Sequence, residues 1–211
     1  MIRDPKIIGI TGTLESPYRW LEKRLETIKQ LEAHATVNRN NLSITLRLED
    51  KNFFGDTITG KASFHPAFLV FEINKGSYKT THELAQLFKM NRSHFENQST
   101  AMKLVTELQN FKAKVDSEIE KTSSNRGDKR DLTAQIVSSN IPEKFNLNIP
   151  IFKGQPKRKI EIEIYINPAD LTCTLVSPEA NDMTETYRDT MIDEVLKSIT
   201  EIAPQIVIIE E

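Results

Sequence analysis

The apolar residues Ile7, Ile8 and Ile10 near the start of the chain read as a short strand over 6–11 that stops at Gly12. Ser16-Pro17 then signals a helix start, because a hydroxyl can cap free N–H groups and proline has no N–H to lose. Leu21, Leu25, Ile28 and Leu31 follow at spacings of three and four, with Arg19, Lys23, Glu26 and Lys29 on the other side. This predicts an amphipathic helix over 17–32. From Leu42 the period becomes two. Leu42, Ile44, Leu46 and Leu48 alternate with polar residues, and after the turn cluster 49–56 so do Ile58, Gly60, Ala62 and Phe64. His65-Pro66 breaks this second strand, and the almost unbroken apolar run 67–73 predicts a third, covered on both faces. Short connections make the three an antiparallel meander, since parallel neighbours need long crossovers.

Thr80 and Glu83 have the spacing of a capping box, so a helix is expected over 81–95, and another from Ser99. Leu104, Leu108, Phe111, Val115 and Ile119 keep helical spacing. Residues 113–121 also read as a strand pairing with 132–137, and periodicity does not decide between the two. The last third alternates again: Phe145, Leu147, Ile149 and Ile151, then Ile160, Ile162, Ile164 and Ile166, then Leu171, Cys173 and Leu175. Pro150 in the first of these strands points to an edge or a bulge. Pro178 ends the third. Met183, Tyr187, Met191, Val195 and Ile199 predict a helix over 183–201, and a short strand follows over 205–209. Strands clustered ahead of helices predict an α+β fold with antiparallel sheets built from two three-strand meanders, each followed by helix.

A length of 211 residues predicts one compact domain over 1–211, with sub-halves 1–111 and 112–211. Apolar residues at 38%, charged residues at 27% and a mean hydropathy of -0.44 are those of a soluble globular chain. The opening MIRDPKIIGITGT has too short an apolar run for a signal peptide, and no stretch reaches the roughly 20 apolar residues of a membrane span. A cytoplasmic location without membrane contact is therefore expected. The single cysteine, Cys173, rules out an internal disulfide and a cysteine-based zinc site. A net charge of -2 gives no global attraction to nucleic acid.

Catalytic vocabulary is sparse. Gly9-Ile10-Thr11-Gly12-Thr13 lacks the glycine spacing and the lysine of a phosphate loop, and no G-x-S-x-G nucleophile elbow occurs. His34, His65, His82 and His94 are not at ligand spacings and read as surface or capping residues. Glu161 and Glu163, with Asp116, Glu118 and Glu120 if that segment is strand, are the carboxylates a Mg²⁺-dependent nuclease would use. The solvated face of an amphipathic strand explains them more simply. No catalytic residue, cofactor or metal is expected. Cations instead gather at two turns: Arg126, Lys129 and Arg130 in one, Lys153, Lys157, Arg158 and Lys159 around the other, with Lys112 and Lys114 near in sequence. Adjacent tips would form a phosphate-binding patch, with Phe152 as a stacking residue.

The run Ile141-Pro142-Glu143-Lys144-Phe145-Asn146-Leu147-Asn148-Ile149-Pro150-Ile151-Phe152-Lys153-Gly154 resembles a motif of a phage and prophage family of unknown function that includes the prophage protein YfdQ. Thr11-Gly12-Thr13-Leu14 through Trp20-Leu21, and Val37-Asn38-Arg39 leading into 42–48, are similar to its N-terminal half. The resemblance implies a hairpin before the Pro142 motif, which favours strands at 113–121 and 132–137 around Arg126-Gly127-Asp128. It also implies a phage accessory protein, often encoded near replication and recombination genes, and brings no catalytic residues. The expectation is a non-catalytic binding protein in the host cytoplasm. It would act in DNA recombination or replication, or against host defence, through a protein or nucleic-acid partner. The alternatives are a metal-dependent nuclease and a homo-oligomeric scaffold.

Overall fold

A computed structural model describes residues 7–24, 26, 32–49, 55–122 and 144–211. In chain order, the first elements are β1 (Gly9–Thr13), α1 (Ser16–Glu22), β2 (Ala33–Asn38), β3 (Ser43–Leu48) and β4 (Thr57–Lys61). Next come α2 (Pro66–Leu69), β5 (Lys79–Thr80), α3 (Thr81–Met90), a 3-10 turn (Arg92–His94) and α4 (Gln98–Thr122). The chain closes with β6 (Phe145–Ile149), β7 (Arg158–Ile166), β8 (Thr172–Val176), α5 (Pro178–Ile202) and β9 (Val207–Glu210). The class is α+β. Among the described residues, no helix is long and apolar enough to cross a membrane. Contacts divide the chain into two compact units, one of residues 1–63 and 183–211 and one of residues 64–182.

The first unit is built on a five-stranded sheet of order β1-β4-β3-β2-β9. The inner strands pair antiparallel, whereas β1 on β4 and β9 on β2 are parallel. Register aligns Ala35, Leu46 and Ile58 across the sheet. All three are buried, as are Val37 and Ile44 in the adjacent row. The other face carries Thr36, Thr45, Thr59 and Thr11 in register, with the Thr45 and Thr59 hydroxyls 3.1 Å apart. Leu21 of α1 and Ile192 and Ile199 of α5 are buried as well.

Three expectations for this region need correction. First, α1 ends at Glu22, because the Arg24 N–H turns back three residues to the Leu21 carbonyl and so closes the last turn. Leu25, Ile28 and Leu31 lie outside the described residues. Second, 33–38 is a strand that the hydrophobic pattern missed, since its buried residues, Ala35 and Val37, are small. Third, the sheet takes its antiparallel set from β2, β3 and β4, and not from 42–48, 57–64 and 67–73.

The second unit holds a four-stranded sheet of order β5-β8-β7-β6, and β6, β7 and β8 follow one another antiparallel. β6 ends one residue before Pro150 and lies at the sheet's edge. Phe88, Phe95 and Phe145 pack with ring centroids 5.0–5.1 Å apart, and Phe71 adds a tilted ring 6.5 Å from Phe88. Pairs of this geometry contribute about 0.5–1.5 kcal/mol beyond their area. The capping box at α3 forms: the Thr80 hydroxyl accepts from the Glu83 N–H, and the Glu83 carboxylate accepts from the Thr80 N–H. This helix stops at Met90, short of Phe95, and a 3-10 turn takes over.

Two further expectations fail here. The run 67–73 is no strand, because His65 caps a helix. Its Nδ1 accepts from the Ala67 N–H at 3.1 Å, Pro66 occupies the first turn, and Glu72 and Asn74 have left-handed φ of 51° and 60°. Segment 113–121 continues α4, whose Leu104, Leu108, Phe111 and Val115 are buried at helical spacing. Its expected partner strand, 132–137, lies outside the described residues.

Candidate nucleic-acid interface

The β6–β7 hairpin presents the basic turn. Its register runs from Phe145 opposite Ile162 to Ile149 opposite Arg158, so residues 150–157 form the connection. Pro150 cannot donate to a ladder, and Gly154 has a left-handed φ of 86°, which together let the chain reverse. The apolar residues of this stretch face inward. Ile151 and Phe152 are buried, and Phe152 makes an antiparallel bridge to Phe64 with their rings stacked 4.8 Å apart. Phe152 is therefore a core residue, which corrects its expected role as a stacking platform for bases.

The cations face outward. Lys153, Lys157, Arg158 and Lys159 are all exposed, and Lys159 reaches the Glu96 carboxylate at 3.1 Å. Arg126, Lys129 and Arg130, the other expected tip, lie outside the described residues. Lys112 and Lys114 are exposed on α4.

Two histidines join this turn that spacing had not linked to it. His65 donates its backbone N–H to the Ile151 carbonyl at 2.7 Å. His94 precedes Phe95, which bridges Leu147 of β6, and its ring stands edge-on to Phe71. Burial holds the His94 pKa below the usual histidine value, and electrostatic interaction with Lys157 and then His65 lowers it further. No sequence signal could have found this grouping, because its members are 29 and 63 residues apart and meet only through the sheet.

The candidate nuclease carboxylates are placed differently. Glu161 and Glu163 share one face of β7, and Lys144 Nζ lies between them at 2.8 and 2.6 Å. Hydrogen bonds to Glu161 and then Glu163 hold that ammonium charged well above the ordinary lysine range. Lys144 thus occupies the place between these carboxylates where a cation would sit. Asp116 is exposed on α4, the side chain of Glu120 is outside the description, and Glu118 stays on the same helix. Among the described residues, no group of three or more histidine, cysteine or acidic side chains could hold a metal ion.

No protein-family model matches the chain, and no curated protein or solved structure is significantly similar to it.

Proposed function

We propose that this chain is a phage- or prophage-encoded accessory protein that binds nucleic acid without cleaving it. Its place would be in recombination or replication in the host cytoplasm. The observation that carries the reading is the β6–β7 turn, where Lys153, Lys157, Arg158 and Lys159 are all exposed on a connection anchored by buried Ile151 and Phe152. Such a turn offers several cations to a phosphate backbone from one fixed base, and backbone contacts dominate nucleic-acid affinity. The sequence resemblance to the YfdQ family supports the same setting. Fluorescence anisotropy with single- and double-stranded DNA at two salt concentrations tests it. Binding strengthens at low salt, and Lys153→Ala with Lys157→Ala lowers the salt slope by about two. An absence of binding at low salt overturns the reading.

A second reading, self-association, is favoured by β1. Among the described residues this strand ends its sheet, all five of its residues are exposed, and Ile8 and Ile10 are 52% and 49% exposed. The Ile8 carbonyl accepts from Thr57 of β4, so Gly9, Thr11 and Thr13 turn their backbone groups outward. A strand of a second copy would satisfy them. Sedimentation velocity showing a monomer at every concentration would exclude it.

A further inference from the structure

Among the described residues, β1 and β9 are the two ends of the five-stranded sheet, and they are guarded differently. β9 runs into Glu210 and Glu211, both exposed, and charge at an edge discourages further pairing. Residues 7–13, Ile-Ile-Gly-Ile-Thr-Gly-Thr, carry no charge and no proline, and the register of β1 on β4 is continuous, without a bulge. The β1 edge therefore has none of the devices that keep strands apart.

The pairings also fix direction. β1 is parallel to β4, β4 and β2 are each antiparallel to β3, and β9 is parallel to β2, so both end strands run the same way. Joining β1 of one copy to β9 of the next by translation would be parallel and open-ended. Two β1 strands related by a two-fold axis meet antiparallel, and the contact closes on itself. Ile10 stands opposite Ile58, whose side chain is buried, so Ile8 and Ile10 extend the apolar face of the sheet by one strand.

The outward backbone groups belong to the odd-numbered residues, because the Ile8 carbonyl is taken by the Thr57 N–H. Symmetric registers that set odd residues against odd differ in what they cover. Centred on Thr11, the pairing puts Ile10 against Gly12 of the second copy. Centred on Ile10, it makes one Ile10–Ile10 pair. Centred on Gly9, it sets Ile8 of each copy against Ile10 of the other, in the non-hydrogen-bonded positions where side chains come closest. We infer that β1 is a homodimer contact, its occupant the β1 of a second copy, paired antiparallel about Gly9. The inference rests on the self-association reading and adds the strand, the symmetry and the register.

The test combines sedimentation velocity of the full chain with oxidative cross-linking, for which the native Cys173 is buried. Wild type sediments as monomer and dimer with no larger species. Thr11→Pro removes an outward N–H and leaves the ladder to β4 in place, so it sediments as monomer. Ile8→Lys does the same by charging the edge, and circular dichroism shows which variants are folded. Gly9→Cys oxidises to a disulfide-linked dimer, because opposed hydrogen-bonded residues have Cα atoms about 5.5 Å apart, whereas Thr11→Cys does not. A wild-type monomer at every concentration overturns the inference together with the self-association reading. A dimer that survives in either folded variant overturns β1 as the contact and leaves self-association standing. Species that keep growing with concentration overturn the two-fold, and cross-linking through Thr11→Cys in place of Gly9→Cys overturns the register.

Discussion

Asn74 and Ser177 hold each other through both backbone groups of the serine. Asn74 Oδ1 accepts the Ser177 N–H at 2.8 Å, and Asn74 Nδ2 donates to the Ser177 carbonyl at 2.6 Å. The pair joins the turn after α2 to the start of α5. The Ser177 hydroxyl donates to the Glu161 carbonyl and accepts the Ala180 N–H, so it caps α5. Asn74 is left-handed, with φ 60°, a conformation that asparagine tolerates better than most residues. Asn74→Ala removes both bonds to a fully buried serine and keeps the strained backbone. It is expected to cost about 2–3 kcal/mol, read as a lowered urea midpoint. Ser177→Ala loses the cap, at about 1 kcal/mol or somewhat more. A wild-type midpoint for Asn74→Ala would show that the latch contributes nothing.

Gly60 lies where α1 approaches β4. A Cβ added there would fall 2.4 Å from the Leu14 carbonyl oxygen and 2.7 Å from Pro17 Cδ, and neither can move without the turn into α1. Gly60→Ala should therefore destabilise by about 1–3 kcal/mol through overpacking. Gly9→Ala is the control. Its Cβ would meet Thr57 Oγ1 at 3.6 Å, an ordinary contact, so stability stays within about 0.5 kcal/mol of wild type. Equal midpoints for both variants would contradict the close seating of α1 on the sheet.

How far these elements could be read beforehand depended on side-chain contrast. In 145–149 and 160–166 large aliphatic or aromatic residues alternate with charged, amide or tyrosine ones, and both strands formed, although the first stops at Ile149 and does not reach Ile151 as read. Thr80 and Glu83 announced their helix by chemistry that is local. Residues 33–38 alternate too, but Ala35 gives too little contrast against His34 and Thr36. In 67–73 the apolar run carries no period, and the decisive feature, His65 capping Ala67, depends on a side-chain rotamer. Segment 113–121 fitted two periods at once, and burial of Val115 among residues at helical spacing settled it. The histidine grouping beside Lys157 exists only through long-range pairing, so no spacing could show it.

Phe152 gives a direct test of the corrected assignment. It is fully buried and stacked on Phe64, so Phe152→Leu should lower stability by about 1 kcal/mol and leave DNA affinity unchanged. A residue that stacked a base would instead carry about 1–3 kcal/mol of affinity per base, a loss of fivefold or more in an anisotropy titration. A drop of that size with wild-type stability would restore Phe152 to the interface.

Cys173 is buried on β8, and burial pushes its thiol up to about 12, with Asp170 adding to the rise. Because the thiolate is the reacting form, labelling by iodoacetamide at neutral pH should be negligible in the native protein. Labelling should appear in step with unfolding as urea is raised. Rapid modification of the folded chain would mean that β8 is open to reagent.

Arg39 gathers carboxylates from two elements of the first unit. Its guanidinium lies 2.7 Å from Glu210 of β9, 2.7 Å from Asp193 and 3.3 Å from Asp189, both of α5. The hydrogen bond from Arg39 holds the Glu210 carboxyl below its usual range. Asp189 is lowered first by Arg188 and then by Arg39. Groups with depressed folded pKa values stabilise the fold above their unfolded values, near about 4, and that stability is lost as pH falls through the folded values. Arg39→Met should therefore lower Tm by roughly 2–4 °C at pH 7, since the carboxylates, more than a third exposed, are partly screened by water. The gap from wild type should close as the pH is taken below about 4, when the acids become protonated in both proteins. Thermal melts of the two proteins between neutral and acid pH measure it. A gap that persists unchanged at the acid end would mean that Arg39 stabilises through its packed stem and not through its charge.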